Sequence, residues 1–496
     1  MNDLSFWVEK NAAFAPSKTA IRFEGEDIDY AGFAETIRGH ARALKNVHGV
    51  GRGDRVAFLG FNSPSMLALF FACARIGAMF SPLNWRLVAP ELAYILGDSA
   101  PRVLIADADH ADLAREAAAS GSAPVVPVEA LARDAAAEGG DRDPDAGPET
   151  PCLLVYTSGT TGHPKGAVLT QRAIQVTAHN CIHYSGLTDA DRVLTVLPMF
   201  HVGGLNILTS PAFYVGGTVI LHRRFDAAAT LRAIVDERPT QLVLVPATIQ
   251  AVIDLPGWKA ADLSSLRLLT TGSSIVPLHL IDAVHARGIP VCQTYGLTET
   301  SPVCIYQKPG DGLRKPRSTG KCGLHCEFRI VDDDGNEVAD GVSGEILIRG
   351  GNVLREYWNN PEETRRALKD GWFHTGDVGW RDEDGDVFVN DRKKDIVISG
   401  GENIYPAEIE QLVHPMDDIA DVAVVGREDA RWGEVPVAVV VPAPGANLEA
   451  ADLLARLEGR LARFKHPKDV LFLDALPKNA MGKTLKHELR ARVNGG

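Results

Sequence analysis

The run Tyr156-Thr-Ser-Gly-Thr-Thr-Gly-His-Pro-Lys-Gly166 crowds three glycines, four serine and threonine hydroxyls and a lysine into one short stretch. Glycine lets the backbone turn tightly, and N–H groups and hydroxyls that converge on one point make a nest for an anion. Lys165 adds a full positive charge. Phosphate suits such a nest. The run is not a Walker P-loop, because Gly159 and Gly162 stand three apart and Gly166 follows the lysine. On residue types alone, a solvated Ser/Thr/Gly loop stands beside phosphate binding as an equal reading.

Four further runs carry reactive groups. They are Gln293-Thr-Tyr-Gly-Leu-Thr-Glu-Thr300, Trp372-Phe-His-Thr-Gly-Asp377, Asp391-Arg-Lys-Lys-Asp-Ile-Val-Ile-Ser-Gly-Gly-Glu-Asn-Ile-Tyr-Pro-Ala-Glu408 and Pro477-Lys-Asn-Ala-Met-Gly-Lys-Thr484. Taken in this order with the first loop, they resemble the signature motifs of the adenylate-forming superfamily. That family includes acyl-CoA synthetases, peptide-synthetase adenylation domains and firefly luciferase. The similarity covers nearly the whole chain.

The resemblance implies a two-step ligase. A carboxylate attacks the α-phosphate of ATP, pyrophosphate leaves, and the thiol of coenzyme A then displaces AMP from the acyl-adenylate. Step one brings an anion against a polyanion. At ~4 Å and an effective dielectric of about 20, each like-charge pair costs about 4 kcal/mol. The site therefore needs cations and oriented donors.

By resemblance, Thr157, Ser158, Gly159, Thr160, Thr161, Gly162 and Lys165 hold the β- and γ-phosphates. Glu299 helps coordinate Mg2+, a hard cation that prefers oxygen ligands, with Thr157 as a second ligand. Thr298 touches the α-phosphate. Thr294, Tyr295 and Gly296 lie against adenine, with Tyr295 stacking and Gly272, Ser273 and Ser274 lining the other side. Two serines there are a mild departure from the family, and they read equally as a helix N-cap. Asp377 accepts from the ribose hydroxyls, and Arg392 reaches the ribose from a domain junction. Lys483 is the expected catalytic cation, bridging carboxylate and α-phosphate where charge concentrates in the transition state.

Lys394 occupies the family's hinge position, about which the small C-terminal domain rotates between the two half-reactions. Ser399, Gly400, Gly401 and Glu402 are then expected to line the pantetheine tunnel. Trp432 resembles a residue that packs on the CoA nucleotide, with interdomain packing as the alternative. Phe464 and His466 are expected near the CoA phosphates.

His201, in Pro198-Met-Phe-His-Val-Gly-Gly-Leu205, stands where acyl- and aryl-CoA ligases keep a gate beside the carboxylate. Core packing is its other reading. Amino-acid-activating relatives carry an aspartate in this region, and 198–209 has none. The segments 201–209, 246–250, 271–275 and 296–303 are mostly apolar or small. They suit a medium- or long-chain fatty acid, or a hydroxycinnamic or benzoic acid. A stand-alone enzyme that loads the acid onto a carrier protein is the alternative, and a non-catalytic relative would not need Lys483, Glu299, Asp377 and Arg392.

These groups need a scaffold. From about residue 50, short apolar runs alternate with helical patterns. Strands are expected at 55–60, 101–106, 192–197, 218–221, 241–245 and 267–271, and at 153–155 before the glycine-rich loop. Ser63-Pro64 and Gly77 bracket a buried helix at 64–76, as N-cap, first-turn proline and stop. Such alternation predicts parallel α/β sheets with covered faces. Residues 107–150 read as surface helix and loop. From 318, Asp-Gly turns predict a small β-rich module of antiparallel hairpins. A last unit has strands near 396–399, 422–425 and 435–442 and helices near 406–414 and 450–463. The fold class is α/β and multi-domain. A large N-terminal adenylation domain spans 1–390, a hinge 391–395, and a small mobile α+β domain 396–496.

Composition agrees. With 496 residues, 45% apolar and 23% charged, the chain can bury several cores. A formal charge of −13 argues against a nucleic-acid partner. The seven cysteines are odd in number and scattered, which suits a reducing cytoplasm, although Cys322-Gly-Leu-His-Cys326 has the outline of a metal clip. The first residues lack the apolar region of a signal peptide, and the run Met66–Ala74 is far short of the ~20 residues of a membrane span. The expected partners are a carboxylic acid, ATP and CoA, with a homodimer left open.

Overall fold

The structure, a computed structural model, describes residues 3–119, 121, 123–157, 164–399, 402–430, 432–458, 460–461, 463–479 and 482–495. The chain divides into two compact units. The first comprises 1–274, 283–328 and 348–374; the second comprises 275–282, 329–347 and 375–496. The expected division at 391–395 falls inside the second unit, because 329–347 and 375–390 pack with the C-terminal residues.

The first unit is built on two large sheets. One orders Lys321–Cys322, Ile305–Tyr306, Val291–Tyr295, Leu268–Gly272, Gln241–Val243, Arg192–Thr195, Thr218–Leu221, Thr19–Phe23 and Glu26–Asp29. Its middle six strands are parallel. The other orders Glu356–Tyr357, Lys165–Thr170, Pro151–Thr157, Met79–Leu83, Arg55–Leu59, Val103–Ala106 and Val125–Pro127, parallel from Pro151–Thr157 onward. The α/β expectation therefore holds. Strands not anticipated include Met79–Leu83, Lys165–Thr170 and Val291–Tyr295, Val125–Pro127 within the expected surface segment, and the pair Thr19–Phe23 and Glu26–Asp29 near the start.

The helix Pro64–Ile76 shows why these elements form where they do. Ser63 is extended and its Oγ accepts the Met66 amide at 3.1 Å, a cap that contributes about 1 kcal/mol. Gly77 ends the helix in the left-handed region at φ 72°. Between them, Met66 to Ile76 is buried on every side, so the helix is core rather than amphipathic surface.

The second unit contains an antiparallel ladder between Trp372–Arg381 and Val387–Arg392, in which Asp377 faces Arg392. After it comes the sheet Glu402–Ile404, Val397–Ser399, Gly433–Pro442 and Ile419–Asp429, with Asp469–Phe472 parallel to Gly433–Pro442. Val397, Ile404, Ile409, Val413, Val424 and Leu453 form one apolar core of this part. Ala423, Val425, Val439 and Leu489 form another, beneath helix Lys486–Val493. The helix expected at 450–463 ends at Ala455, short of Gly459, a residue type that weakens a helix by about 1 kcal/mol. Among the described residues, no helix is long and apolar enough to cross a membrane.

Candidate active site

In the first unit the glycine-rich run is the connection of a hairpin. Thr157 and Lys165 are opposed at the ends of the antiparallel strands Pro151–Thr157 and Lys165–Thr170. Ser158, Gly159, Thr160, Thr161 and Gly162 lie outside the described residues. The hairpin itself is held by packing. A Cβ on Gly166 would meet Leu154 Cδ1 at 2.8 Å and Trp358 Cβ at 3.2 Å, so a side chain there would displace both neighbours. The Tyr156 hydroxyl is 2.5 Å from Asp98 Oδ2, and burial with that carboxylate pushes the phenol well up, keeping it a neutral donor.

Lys165 and Glu299 are brought together about one tyrosine. The strand Glu356–Tyr357 pairs with Lys165–Thr170, setting Tyr357 opposite Ala167. The Tyr357 hydroxyl donates to Glu299 Oε1 at 2.8 Å, and Lys165 Nζ stands 5.9 Å from the Tyr357 ring centroid. Lys165 is also 2.7 Å from Glu363 Oε1, so the expected phosphate cation holds a carboxylate here. Tyr357 and Glu363 were missed in the sequence. Their places depend on a two-residue strand far along the chain, and nothing in Arg355-Glu-Tyr-Trp-Asn359 signals it.

Glu299 is only 8% exposed, in the single turn Thr298–Thr300 that follows strand Val291–Tyr295. Its hydrogen-bond partner is a neutral hydroxyl, which leaves the carboxylate charge uncompensated by that bond. A buried carboxylate oxygen of this kind fits a hard divalent cation. The turn is pinned from both ends: the Leu297 amide donates to Thr300 Oγ1 at 2.9 Å, and Asn206 Nδ2 donates to the Ser301 carbonyl at 3.3 Å. Thr298 is half-buried beside Glu299.

The adenine candidates sit at the C-terminal ends of two neighbouring parallel strands, where α/β sheets place their ligands. Gly272 is registered with Thr294. A Cβ on Gly272 would lie 2.4 Å from the Thr294 carbonyl oxygen, and one on Gly296 would lie 1.5 Å from that of Pro302. Both positions demand glycine. Ser273 and Ser274 are exposed, and Ser273 has a left-handed φ of 73°. The next helix begins at Leu278, so the N-cap reading of these serines does not hold.

His201 precedes the short helix Val202–Asn206, which carries the Asn206 that holds Ser301. Its ring packs against Phe200 at 4.9 Å between centroids. Phe200 in turn meets Trp85 at 6.5 Å, and Trp85 meets Phe61 at 4.8 Å. Burial, with Arg86 adding repulsion, pushes the imidazole down to about 3, so it is neutral at physiological pH. The cysteine clip is otherwise occupied. Cys322 Sγ donates to the Cys326 carbonyl at 3.2 Å and Cys326 Sγ donates to Asn352 Oδ1 at 3.3 Å, with burial lifting the thiols to about 12 and about 11.

In the second unit, Arg392 Nε lies 2.6 Å from Asp377 Oδ1, and Asp377 is 5% exposed. The Asp377 amide donates to Thr375 Oγ1 at 3.0 Å, whose hydroxyl donates to the Ile346 carbonyl at 2.7 Å, fixing the strand end that presents the carboxylate. Lys483 lies just inside a bridge between Lys478 and Thr484. Asn479 and Lys483 exchange backbone and side-chain bonds at 2.9 and 3.0 Å, and Gly482 turns at φ 75°. Lys483 keeps solvent access. Crowding by protein lowers its ammonium pKa, Arg392 and Lys394 add to this, and Asp377 and Asp395 oppose it. The lysine is thus within electrostatic reach of the Asp377–Arg392 pair. Lys394 is exposed, and its carbonyl accepts Arg490 Nη1 at 2.9 Å.

The CoA candidates are only partly described. Ser399 pairs with both Glu402 and Gly433, which puts Ser399 and Glu402 beside Trp432 in sequence and register. Trp432 is 42% exposed. Gly400, Gly401 and the Phe464 side chain lie outside the described residues. His466 Nε2 is 3.0 Å from the Leu461 carbonyl, a local bond that occupies one ring nitrogen.

Residues 8–358 match the model of the AMP-binding enzyme family, and residues 408–483 match that of the AMP-binding enzyme C-terminal domain. The chain is 52% identical to an indoleacetate–CoA ligase of Aromatoleum aromaticum, covering 99% of this chain and 98% of the other. It is 43% identical to a feruloyl-CoA synthase of Amycolatopsis, covering 99% of each. Among solved structures, o-succinylbenzoate CoA synthetase of Bacillus subtilis in complex with its acyl-adenylate intermediate superposes with a TM-score of 0.89, at 32% identity, over 98% of this chain and 97% of the other.

Proposed function

The chain belongs to the AMP-binding enzyme family and is an ATP-dependent, AMP-forming acid–CoA ligase, and from that premise we propose that its acid is aromatic, an arylacetate or a hydroxycinnamate. The observation that carries this reading is the pair of full-length relatives named for indoleacetate and feruloyl substrates. The ring series Phe61, Trp85, Phe200 and His201 supports it, since aromatic side chains offer a planar acid offset stacking and edge contacts. A linear fatty acid is the second reading, favoured by a 37% identical long-chain-fatty-acid–CoA ligase of Mycobacterium tuberculosis. Free buried cysteines fit a cytoplasmic setting.

Each residue then has a task. Thr157 and Lys165, with the loop between them, hold the leaving phosphates. For that, Lys165 exchanges its Glu363 partner for phosphate oxygen. Glu299, held by Tyr357, supplies the Mg2+ ligand. Bound there, Mg2+ neutralises phosphate charge and orients its oxygens. Thr298 donates to the α-phosphate. Gly272, Ser274, Thr294, Tyr295 and Gly296 receive the base, and Asp377 with Arg392 receives the ribose. His201, neutral, screens the carboxylate from water without trapping it as an ion pair.

Lys483 supplies the last cation. Its ammonium meets the attacking carboxylate and the α-phosphate, and the lowered pKa reflects a charge held among protein groups that needs an anion beside it. Rotation about Lys394 then withdraws Lys483 and presents Ser399, Glu402 and Trp432 to CoA. The thiol displaces AMP and the thioester leaves.

A panel of acids tests the substrate. AMP formation is scored with and without CoA for indoleacetate, ferulate, benzoate, a short acid and linear fatty acids. Turnover on the first two should exceed that on fatty acids by tenfold or more. Preference for a fatty acid would replace the proposal with the second reading, and acid-dependent pyrophosphate release with no AMP formed on adding CoA would favour a carrier-protein acceptor.

A further inference from the structure

One ionic cluster ties the segment 391–395 to the element that follows Lys483. Lys486 begins the helix Lys486–Val493 and sets Nζ 2.9 Å from Glu410 Oε1 and 3.8 Å from Asp391 Oδ2. Asp391 Oδ2 also accepts the Ala407 amide at 3.1 Å, and its Oδ1 accepts the Arg392 amide at 2.8 Å. Glu410 Oε1 accepts the Val424 amide at 2.7 Å. The Asp391 side chain is 9% exposed. Burial works against the Lys486 ammonium, yet Glu410 and Asp391 together raise its pKa, while burial and Asp391 raise that of Glu410 against the pull of Lys486.

With Lys394 as the pivot, these contacts fall into two kinds. Glu410, Val424 and Lys486 all follow it in the chain and turn together. Asp391 precedes it, while Ala407 and Lys486 follow it. Rotation keeps the Glu410–Lys486 pair and must break both Asp391 contacts. A 3.8 Å ion pair is long for a direct contact, and one amide bond to a carboxylate adds to it. Such a tie biases an equilibrium by about tenfold, enough to favour one arrangement and shallow enough to open in every turnover.

We propose that Asp391 and Lys486 are positioning residues for adenylation: they latch the C-terminal residues in the arrangement that keeps Lys483 near Asp377 and Arg392, and they part for the thiol step. This rests on the roles assigned above to Lys483 and Lys394. Lys486 has two duties, because Glu410 orients it toward Asp391 and its helix continues the chain directly from Lys483 and Thr484.

The test separates the half-reactions, using an acid that the unaltered chain activates. Pyrophosphate release reads adenylation, and thioester formation from the supplied acyl-adenylate and CoA reads the second step. Asp391→Asn should slow pyrophosphate release about tenfold and leave thioester formation equal or faster. Asp391→Glu, which moves the carboxylate by one methylene, should shift both rates with the same signs. Lys486→Arg, which keeps the charge, should restore near-normal values in both. In a Lys483→Ala background, Asp391→Asn should cost adenylation nothing further. Equal loss in both half-reactions, or a further loss in that background, overturns the latch. Undiminished adenylation by Lys483→Ala alone overturns instead the reading of Lys483 on which the latch depends.

Discussion

Arg392 and Asp377 face each other on paired antiparallel strands, with Nε 2.6 Å from Oδ1. The arginine's charge lies against the carboxylate, and a carboxylate only accepts, which suits it to ribose hydroxyls. Asp377→Ala removes that acceptor and leaves a cation behind. A hydrogen bond to a charged group contributes about 1.5–3 kcal/mol, so the KM for ATP should rise about tenfold to a hundredfold. Pyrophosphate release measured against ATP concentration gives the value, and an unchanged KM removes Asp377 from the nucleotide site.

Glu299 and its tyrosine should separate in a magnesium titration. Glu299→Gln keeps size and loses charge, and half-saturation by Mg2+ should rise at least tenfold. Tyr357→Phe loses one hydrogen bond to the carboxylate, about 1.5–3 kcal/mol, but keeps the charge that meets the metal, so its effect should be smaller. The reverse order would assign the Tyr357 hydroxyl, and not Glu299, to the metal.

Two desolvated histidines make stability depend on pH. His201 is lowered to about 3 and His40 to about 4, both chiefly by burial. Each takes a proton in the unfolded chain near 6.5 but not in the folded one, so the unfolded state binds more protons between pH 6.5 and about 4. Stability should fall as pH drops through that window and be flat above pH 7. Thermal unfolding at pH 7 and pH 5 measures the drop, and His40→Leu should make it smaller.

Glycine at 296 is required by space alone. Its Cβ would sit 1.5 Å from the Pro302 carbonyl oxygen, a backbone atom that cannot move aside. Gly296→Ala should destabilise by about 3 kcal/mol or more and abolish adenylation. Gly97, in the helix Ala89–Ser99 with nothing within 4 Å, is the control: Gly97→Ala should gain about 0.5–1 kcal/mol. A thermal scan of both variants suffices.

The sequence made the helix Pro64–Ile76 legible because its cap, first-turn proline and terminal glycine are local signals. It made the strand that ends at Gly272 legible because a buried parallel strand reads as an apolar run, whereas the strand Val291–Tyr295 was not among those expected. The pairings that complete the site were not legible. Tyr357 reaches Glu299 only through a two-residue strand laid against Lys165–Thr170, and Glu363 reaches Lys165 from the helix that follows. Asp391, Glu410 and Lys486 belong to three separate elements, and only tertiary packing makes them one cluster. The helix expected at 450–463 overran because apolar periodicity continues past Ala455 while the regular helix does not.

The most direct measurement takes Lys483→Ala through both half-reactions. Delivering a cation to two like-charged reactants is useful only in the first step, so acid-dependent pyrophosphate release should fall by orders of magnitude. Thioester formation from supplied acyl-adenylate and CoA should stay within a fewfold of the unaltered chain. Equal loss in the two steps, or full pyrophosphate release without this lysine, would contradict the account.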